Sequence, residues 1–327
     1  MARRKNKSRK KKSLLSLPFR FGKITLVLAV LAALGFGIWY SQQDDETQEA
    51  VNQRAIAVLV WLRDRRETNR KADRWIEWVM DRIPASRGIV VDADALGADR
   101  YTLAGLPVAD RRLQLLTNSG YVVGYDEQME NPAWVAYKLT YTPEGGTEDR
   151  PESFETDMRT RARVSHNDYT GSGFDRGHMA PNHAIGVVYG PQAQMETFLM
   201  SNVVPQQPQI NQGIWRLLEQ QVAQSWLRRF HELWVITGPV YEEPVRRLPS
   251  GVTIPSGFFK MVADVTDRDE LRVIAVIIPQ GAGESDDFSQ YLVSVDEVEA
   301  RTGFDFFSLL DDPVETPLEE AVPARLW

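Results

Sequence analysis

Gly171-Ser-Gly-Phe-Asp-Arg-Gly-His-Met-Ala-Pro-Asn182 is the most informative stretch of this chain, and its core is Asp175-Arg176-Gly177-His178. A histidine can exchange a proton near neutral pH. An arginine presents a planar fork of N–H donors that matches the oxygens of a phosphate group. The stretch therefore indicates proton transfer beside an anion, although a lone histidine next to a glycine is more often a satisfied polar group.

Three further polar segments follow this stretch: Ser201-Asn202-Val-Val-Pro205-Gln206, Asn211-Gln212-Gly213-Ile214-Trp215 and Leu218-Glu219. Hydrolysis of a phosphodiester requires an acceptor for the proton of water and groups that meet the charge on phosphate and leaving oxygen. His178 is suited to accept the proton of water, and Arg176 is suited to meet the charge on the phosphate oxygens. Asn211 offers an oxygen to a hard cation, and Mg²⁺ keeps several waters, so that one protein ligand can suffice. Residue types alone make this a weak signal, because most chains contain such a trio.

The order and spacing of the segments make the signal specific, because together they resemble the DNA/RNA non-specific endonucleases. The resemblance continues in Trp134-Val-Ala-Tyr137, Thr237-Gly-Pro-Val-Tyr241, Thr253-Ile-Pro-Ser256 and Val295-Asp-Glu-Val-Glu-Ala-Arg-Thr-Gly303. It implies an α+β fold, with a central antiparallel sheet flanked by helices and a ββα-metal active site. It also implies a hydrolase that cleaves DNA and RNA with Mg²⁺ or a similar divalent cation such as Mn²⁺.

The resemblance assigns a role to each matching residue. It makes His178 the general base, Arg176 a phosphate-binding arginine and Asn211 the direct metal ligand. Asn202 becomes a polar residue that supports the site, and Glu219 an acid that reaches the water shell of the metal. On one continuous helix Asn211 and Glu219 would lie about 12 Å apart along the axis, which disfavours direct ligation by both.

The second arginine of the family pattern is matched less closely. That arginine precedes an aromatic-x-x-Asp segment, here Phe154-Glu-Thr-Asp157, and Arg150 stands one place further upstream than the pattern expects. Arg150 is therefore the candidate for a second substrate-binding arginine, although its displacement by one residue argues against this assignment.

Structural alternatives accompany these assignments. Asn202 and Asn211 are also typical of turns and caps, and Glu219 could be a solvated acid on a helix surface. Asp175 is expected to hold the loop, and Trp215 to belong to the core. The residues His166, His178 and His183 could suggest zinc, but a spacing of five misses one helix face and the chain has no cysteine.

Apolar periodicity predicts strands and helices that alternate without a regular βαβ rhythm, as in α+β folds. The predicted strands are Tyr121–Tyr125, Trp134–Thr140, Leu233–Thr237, Phe258–Val265 and Leu271–Ile278. A helix is predicted from about Gly213 to Phe230. A second helix should begin at Ser294, with Glu297 as the capping-box partner, and end at Gly303.

The N-terminal part predicts a membrane anchor. Residues 1–23 contain ten basic and no acidic residues, and 24–43 contain no charge and end near Trp39 and Tyr40. Such a run just spans a bilayer core of roughly 30 Å, and the basic block favours a cytoplasmic N-terminus. We thus expect a cytoplasmic tail (1–23), a single-pass anchor (24–43), a stalk with amphipathic helices (44–109) and an extracytoplasmic nuclease domain (110–327), periplasmic in a bacterium. A cleaved signal peptide and a nucleic-acid-binding tail are the alternatives.

The remaining composition limits the function classes. The absence of cysteine excludes disulfides, thiolate zinc sites and cysteine nucleophiles. Residues 24–327 carry 28 basic against 45 acidic residues, a net charge of −17, so a general basic footprint for nucleic acid is missing. Beside a nuclease acting on DNA and RNA, a membrane-tethered binding module without activity and a phosphodiesterase for a small ester stay open. Self-association as a homodimer is open as well.

Overall fold

The computed structural model describes residues 100–327, except for 144–145, 267–268 and 284–286, together with 89–90 and isolated stretches between 39 and 55. The chain divides into two units, Met1–Ile83 and Pro84–Trp327. The expected basic tail lies outside the described residues, as does the expected anchor apart from 39–43. Within the described part of the chain, no helix is long and apolar enough to cross a membrane.

An antiparallel sheet of eight strands forms the centre of the second unit. Its order is β1-β11-β10-β7-β4-β3-β2, and β12 pairs with β11. Two short pairs, β5–β6 and β8–β9, lie outside it. The strands are β1 Ile89–Val90, β2 Gln114–Thr117, β3 Val122–Asp126, β4 Asn131–Thr140, β5 Asp175–His178, β6 Val203–Gln206, β7 Glu232–Val240, β8 Arg246–Arg247, β9 Thr253–Ile254, β10 Gly257–Val265, β11 Glu270–Pro279 and β12 Leu292–Val293.

The five predicted strands are confirmed as β3, β4, β7, β10 and β11, with ends that differ by at most three residues. The long central strands are buried along nearly their whole length, as in β10, where eight consecutive residues from Gly257 to Asp264 are buried. Such continuous burial requires packing on both faces of the sheet.

Helices cover both faces. They are α1 Asn182–Tyr189, α2 Pro191–Glu196, α3 Trp215–Gln220, α4 Leu227–Phe230, α5 Val295–Thr302 and α6 Asp312–Glu320. One π-helical turn, Ile210–Ile214, precedes α3, and a second, Gln221–Trp226, joins α3 to α4. Together they form one helical run over 210–230, with non-helical dihedral angles at Gly213. The predicted helix start at Ser294 is confirmed, since its side chain accepts a hydrogen bond from the backbone N–H of Glu297. Gly303 ends that helix in the left-handed conformation, as expected.

The core has one part on each face of the sheet. On one face, α1 and the helical run 210–230 pack through residues such as Ile185, Ile214 and Trp226. On the other face, α5 and α6 pack together with buried residues upstream of position 110, among them Tyr101 and Leu103. The expected mixed fold on an antiparallel sheet is confirmed. The polar segments singled out in the sequence belong to the first face.

Candidate active site

Strands β5 and β6 and the helical run after them form a ββα unit that carries most of the candidate residues. β5 pairs antiparallel with β6, so that His178 lies opposite Val203 and Gly177 opposite Val204. A side chain at Gly177 would meet the Gln206 carboxamide, because a Cβ there would lie 2.1 Å from Oε1. The glycine between Arg176 and His178 therefore allows the two strands to pack at this point.

His178 packs in a cluster with the rings of Phe154 and Phe198, which also contact each other. Its ring centroid is 5.0 Å from those of Phe154 and Phe198. The buried Nε2 atom has no hydrogen-bond partner among the described residues. Burial, and secondly the positive charge of Arg150, lowers the pKa of His178 to about 3. The imidazole is therefore neutral at neutral pH.

Asn202 is fully buried and fixes the chain immediately after His178. Its Oδ1 accepts a hydrogen bond from the N–H of Ala180 at 2.8 Å, and its Nδ2 donates to the carbonyls of Ala180 at 3.0 Å and Thr197 at 2.9 Å. These bonds occupy the whole carboxamide. The structure thus places Asn202 beneath the site as a positioning residue and not on the surface of the cleft.

Asn211 is tied to β5 through Asp175. The Asn211 Nδ2 donates to Asp175 Oδ2 at 2.9 Å, and the Gln212 Nε2 donates to the same oxygen at 2.8 Å. Since the nitrogen of the Asn211 carboxamide is engaged, its oxygen is the end that can serve as a ligand. Asp175 has the loop-holding position expected for it and orients the candidate metal ligand.

Two arginines approach His178 from neighbouring segments. Arg176 donates through Nη2 to the carbonyl of His166 at 2.6 Å and to Thr170 Oγ1 at 3.2 Å. Its Nη1 takes no part in these bonds, which leaves donors for an anion. The Arg150 guanidinium lies 5.3 Å from the Phe198 ring centroid. Arg150 therefore reaches the site despite its displacement in the sequence pattern.

Glu219 is not a solvated helix-surface acid. Its side chain is only 19% exposed, and its Oε1 lies 3.7 Å from the ammonium of Lys260. Burial raises the pKa of Glu219 to about 7, while Lys260 acts in the opposite direction. The break at Gly213 interrupts the continuous helix that would separate Asn211 and Glu219, and both side chains line one cleft.

That cleft has a volume of about 660 Å³ and brings together His178, Arg176, Arg150, Asn211 and Glu219. Other residues lining it are Pro181, Asn182, His183, Ala184, Gln212, Arg216, Gln220, Ala223 and Gln224. Its charged lining consists of three arginines and one glutamate. The cleft is thus locally basic although residues 24–327 are strongly acidic. The missing basic footprint in the sequence therefore does not argue against a polyanion bound in the cleft.

Comparison with known proteins identifies the family to which the chain belongs. Residues 105–313 match the model of the DNA/RNA non-specific endonuclease family. The chain belongs to this family. It is 32% identical to a nuclease of Nostoc sp. over 64% of this chain and 78% of that protein. It is 29% identical to a nuclease of Serratia marcescens, over 69% and 87%, and 30% identical to human mitochondrial endonuclease G, over 63% and 72%.

A solved structure supports the same relationship. The chain is similar to one described as "Crystal structure of the EndoG/EndoGI complex: Mechanism of EndoG inhibition", with a TM-score of 0.54 and 27% identity. The match covers 64% of this chain and 90% of the other. This endonuclease is accordingly a hydrolase of the nuclease class.

Several residues of the endonuclease site were not found by sequence reasoning. The cluster of Phe154, His178 and Phe198 depends on contacts between distant segments, although Phe154 belongs to the aromatic-x-x-Asp segment noted in the sequence. Asp157 of that segment accepts a hydrogen bond from Ser201 Oγ at 2.6 Å and so braces the turn before β6. Lys260 carried no signal, because it lies in an apolar strand.

The zinc alternative gains no support from the structure. His166 does not line the cleft, and its Nδ1 accepts a hydrogen bond from the N–H of Phe154. Among the described residues, one group of three potential metal-binding side chains lies close together, namely Asp296, Glu299 and Glu319. These belong to α5 and α6, whose apolar residues pack on the opposite face of the sheet.

Proposed function

We propose that this endonuclease hydrolyses phosphodiester bonds of both DNA and RNA with little sequence preference, using a divalent cation and His178 as the general base. The observation that carries the proposal is the unpartnered, neutral Nε2 of His178 in a cleft shared with Asn211 and three arginines. A base, a hard oxygen ligand and guanidinium donors are the groups that this hydrolysis requires.

His178 accepts the proton of the attacking water. Phe154 and Phe198 restrict the orientation of the ring, and the Asn202 bonds hold the backbone that follows it. A base that its neighbours already hold in position can accept the proton without first reorienting, and this raises the rate of the reaction. Arg176 and Arg150 meet the charge on the phosphate oxygens.

The residues present fit a hard divalent cation. The carboxamide oxygen of Asn211 is oriented by Asp175, and the Glu219 carboxylate lies in the same cleft. A ligand set of oxygens with room for water is typical of Mg²⁺ and Mn²⁺. When bound, such an ion would neutralise the charge that develops on the leaving oxygen. Asn211 would hold it directly and Glu219 through its water shell.

The composition of the cleft supports broad substrate choice. Guanidinium groups recognise the phosphates that DNA and RNA share, and phosphate contacts carry no sequence information. The family description includes both DNA and RNA, which agrees with cleavage of either nucleic acid.

The purified full-length chain should degrade plasmid DNA and a long single-stranded RNA when Mg²⁺ is present. Cleavage should stop in excess chelator and return when Mg²⁺ or Mn²⁺ is added beyond the chelator. Gel analysis of both substrates over time is the measurement. Cleavage that persists in excess chelator would contradict the dependence on a cation. Binding of nucleic acid without cleavage would support the inactive binding module.

We also propose that the N-terminal segment anchors the endonuclease in a membrane with its nuclease domain on the extracytoplasmic side. The support is sequence alone, namely ten basic residues followed by twenty uncharged ones. Reporter fusions placed after residue 45 should report the extracytoplasmic side, and the chain should fractionate with membranes. A cytoplasmic signal from these fusions would contradict the topology. A shorter, released chain would support a cleaved signal peptide.

A further inference from the structure

Lys260 is a lysine in the interior of the nuclease domain. It lies in β10 with Thr237 of β7 and Val276 of β11 as its register partners, and only 1% of it is exposed. Lysine is almost never fully buried unless it is paired. Burial of its ammonium therefore needs a specific partner.

That partner is Glu219. The Lys260 Nζ lies 3.7 Å from Glu219 Oε1 and 4.5 Å from the centroid of the Trp215 ring. Trp215 precedes Glu219 by four residues, so both side chains belong to the same face of one helical turn. Nζ has no hydrogen-bond partner within the described part of the chain, which leaves the ion pair and the aromatic face as its polar contacts.

A buried ion pair is weak evidence for a stabilising role. Replacement of both partners of such a pair with apolar side chains of similar volume is often neutral or stabilising for the folded protein. The position next to a cleft-lining carboxylate offers another reason for a lysine at this position. Lys260 itself does not line the cleft, whereas Glu219 does.

We propose that Lys260 is a positioning residue of the nuclease reaction, which holds the Glu219 carboxylate in the cleft by charge pairing from beneath. The inference rests on the proposed function, since Glu219 acts there on the water shell of the cation. Because Lys260 does not line the cleft, it acts only through Glu219. Residues behind a metal site that orient its ligands commonly affect activity or metal affinity 10- to 100-fold.

The test compares Lys260→Met, Glu219→Gln and the double variant in the full-length chain. Met retains the length of the lysine stem, so K260M should fold. Its kcat should fall about 10- to 100-fold, with an unchanged KM for plasmid DNA and a higher Mg²⁺ concentration at half-maximal rate. In the E219Q background, K260M should cause no further loss, because its only route of action is already absent. An independent, multiplicative loss in the double variant would overturn the proposal.

Two further variants separate positioning from packing. Val276→Ala removes apolar contacts next to Lys260, and it should lower Tm while kcat stays at the wild-type value. Lys260→Arg keeps the positive charge and should retain far more kcat than K260M. Equal losses in K260R and K260M would overturn the proposal, even if K260M folded poorly. A wild-type chain that does not cleave nucleic acid would instead refute the proposed function, whereas an active wild type with an equally active K260M would refute only this inference.

Discussion

Replacing His178 with alanine should lower the single-turnover rate of DNA cleavage by about 10²–10⁴-fold, the usual contribution of a positioned general base. The variant loses the Nε2 atom that accepts the proton of water. It keeps Asn211, Arg176 and Arg150, so substrate and cation should still bind. Added Mg²⁺ should therefore fail to restore the rate. The measurement is single-turnover cleavage of a labelled duplex at saturating enzyme, over a range of Mg²⁺ concentrations.

A suitable control is His231→Asn. His231 packs edge-on against Tyr141 outside the cleft, and asparagine tolerates its positive φ of 68°. This variant should cleave at the wild-type rate. A rate for His178→Ala close to that of the wild type would refute the assignment of the base.

Replacing Asn211 with alanine should change the response to metal. The variant loses the oxygen ligand that Asp175 orients, so the Mg²⁺ concentration at half-maximal rate should rise by roughly tenfold or more. Residual activity at very high Mg²⁺ is expected, because His178 and the arginines remain. Gln209→Ala is the matched control, since Gln209 is an exposed amide whose Nε2 donates to the side chain of Gln207. An unchanged metal dependence in Asn211→Ala would contradict the ligand assignment.

The combination of the two substitutions tests whether both groups serve one transition state. Residues that act as a unit show strongly non-additive losses. The double variant His178→Ala, Asn211→Ala should thus lose much less than the product of the single losses. A fully multiplicative loss would indicate that the two residues act in separate steps.

The strands could be predicted from sequence because their apolar runs are long and are bounded by turn residues. Trp134–Thr140 and Phe258–Val265 fall within β4 and β10. Residues Ser294 and Gly303 marked the ends of α5 for a local reason, since a cap depends on contacts within one turn. The order of the strands in the sheet follows from long-range pairing, which no local pattern contains.

The candidate site was predictable only in part. The resemblance to the endonuclease family pointed to His178, Arg176 and Asn211, whose motifs lie close together in sequence within one ββα unit. The positions of Asn202 and Asp175 depend on hydrogen bonds to segments 22 and 36 residues away, which no local sequence pattern contains. Lys260 escaped notice, because its significance comes entirely from a helix that packs across its strand.

The contrast between the acidic domain and its basic cleft also governs how substrate arrives. A nucleic acid at a distance meets the net charge of −17 on residues 24–327 and is repelled, whereas a phosphate inside the cleft meets three arginines. Salt at about 0.1 M screens charges beyond roughly 10 Å, so it weakens the distant repulsion more than the close attraction. Electrostatic repulsion therefore opposes the first approach of the nucleic acid, whereas the arginines favour the complex once a phosphate is in the cleft. Capture of a polyanion by this endonuclease consequently depends on how concentrated the polyanion already is near the enzyme.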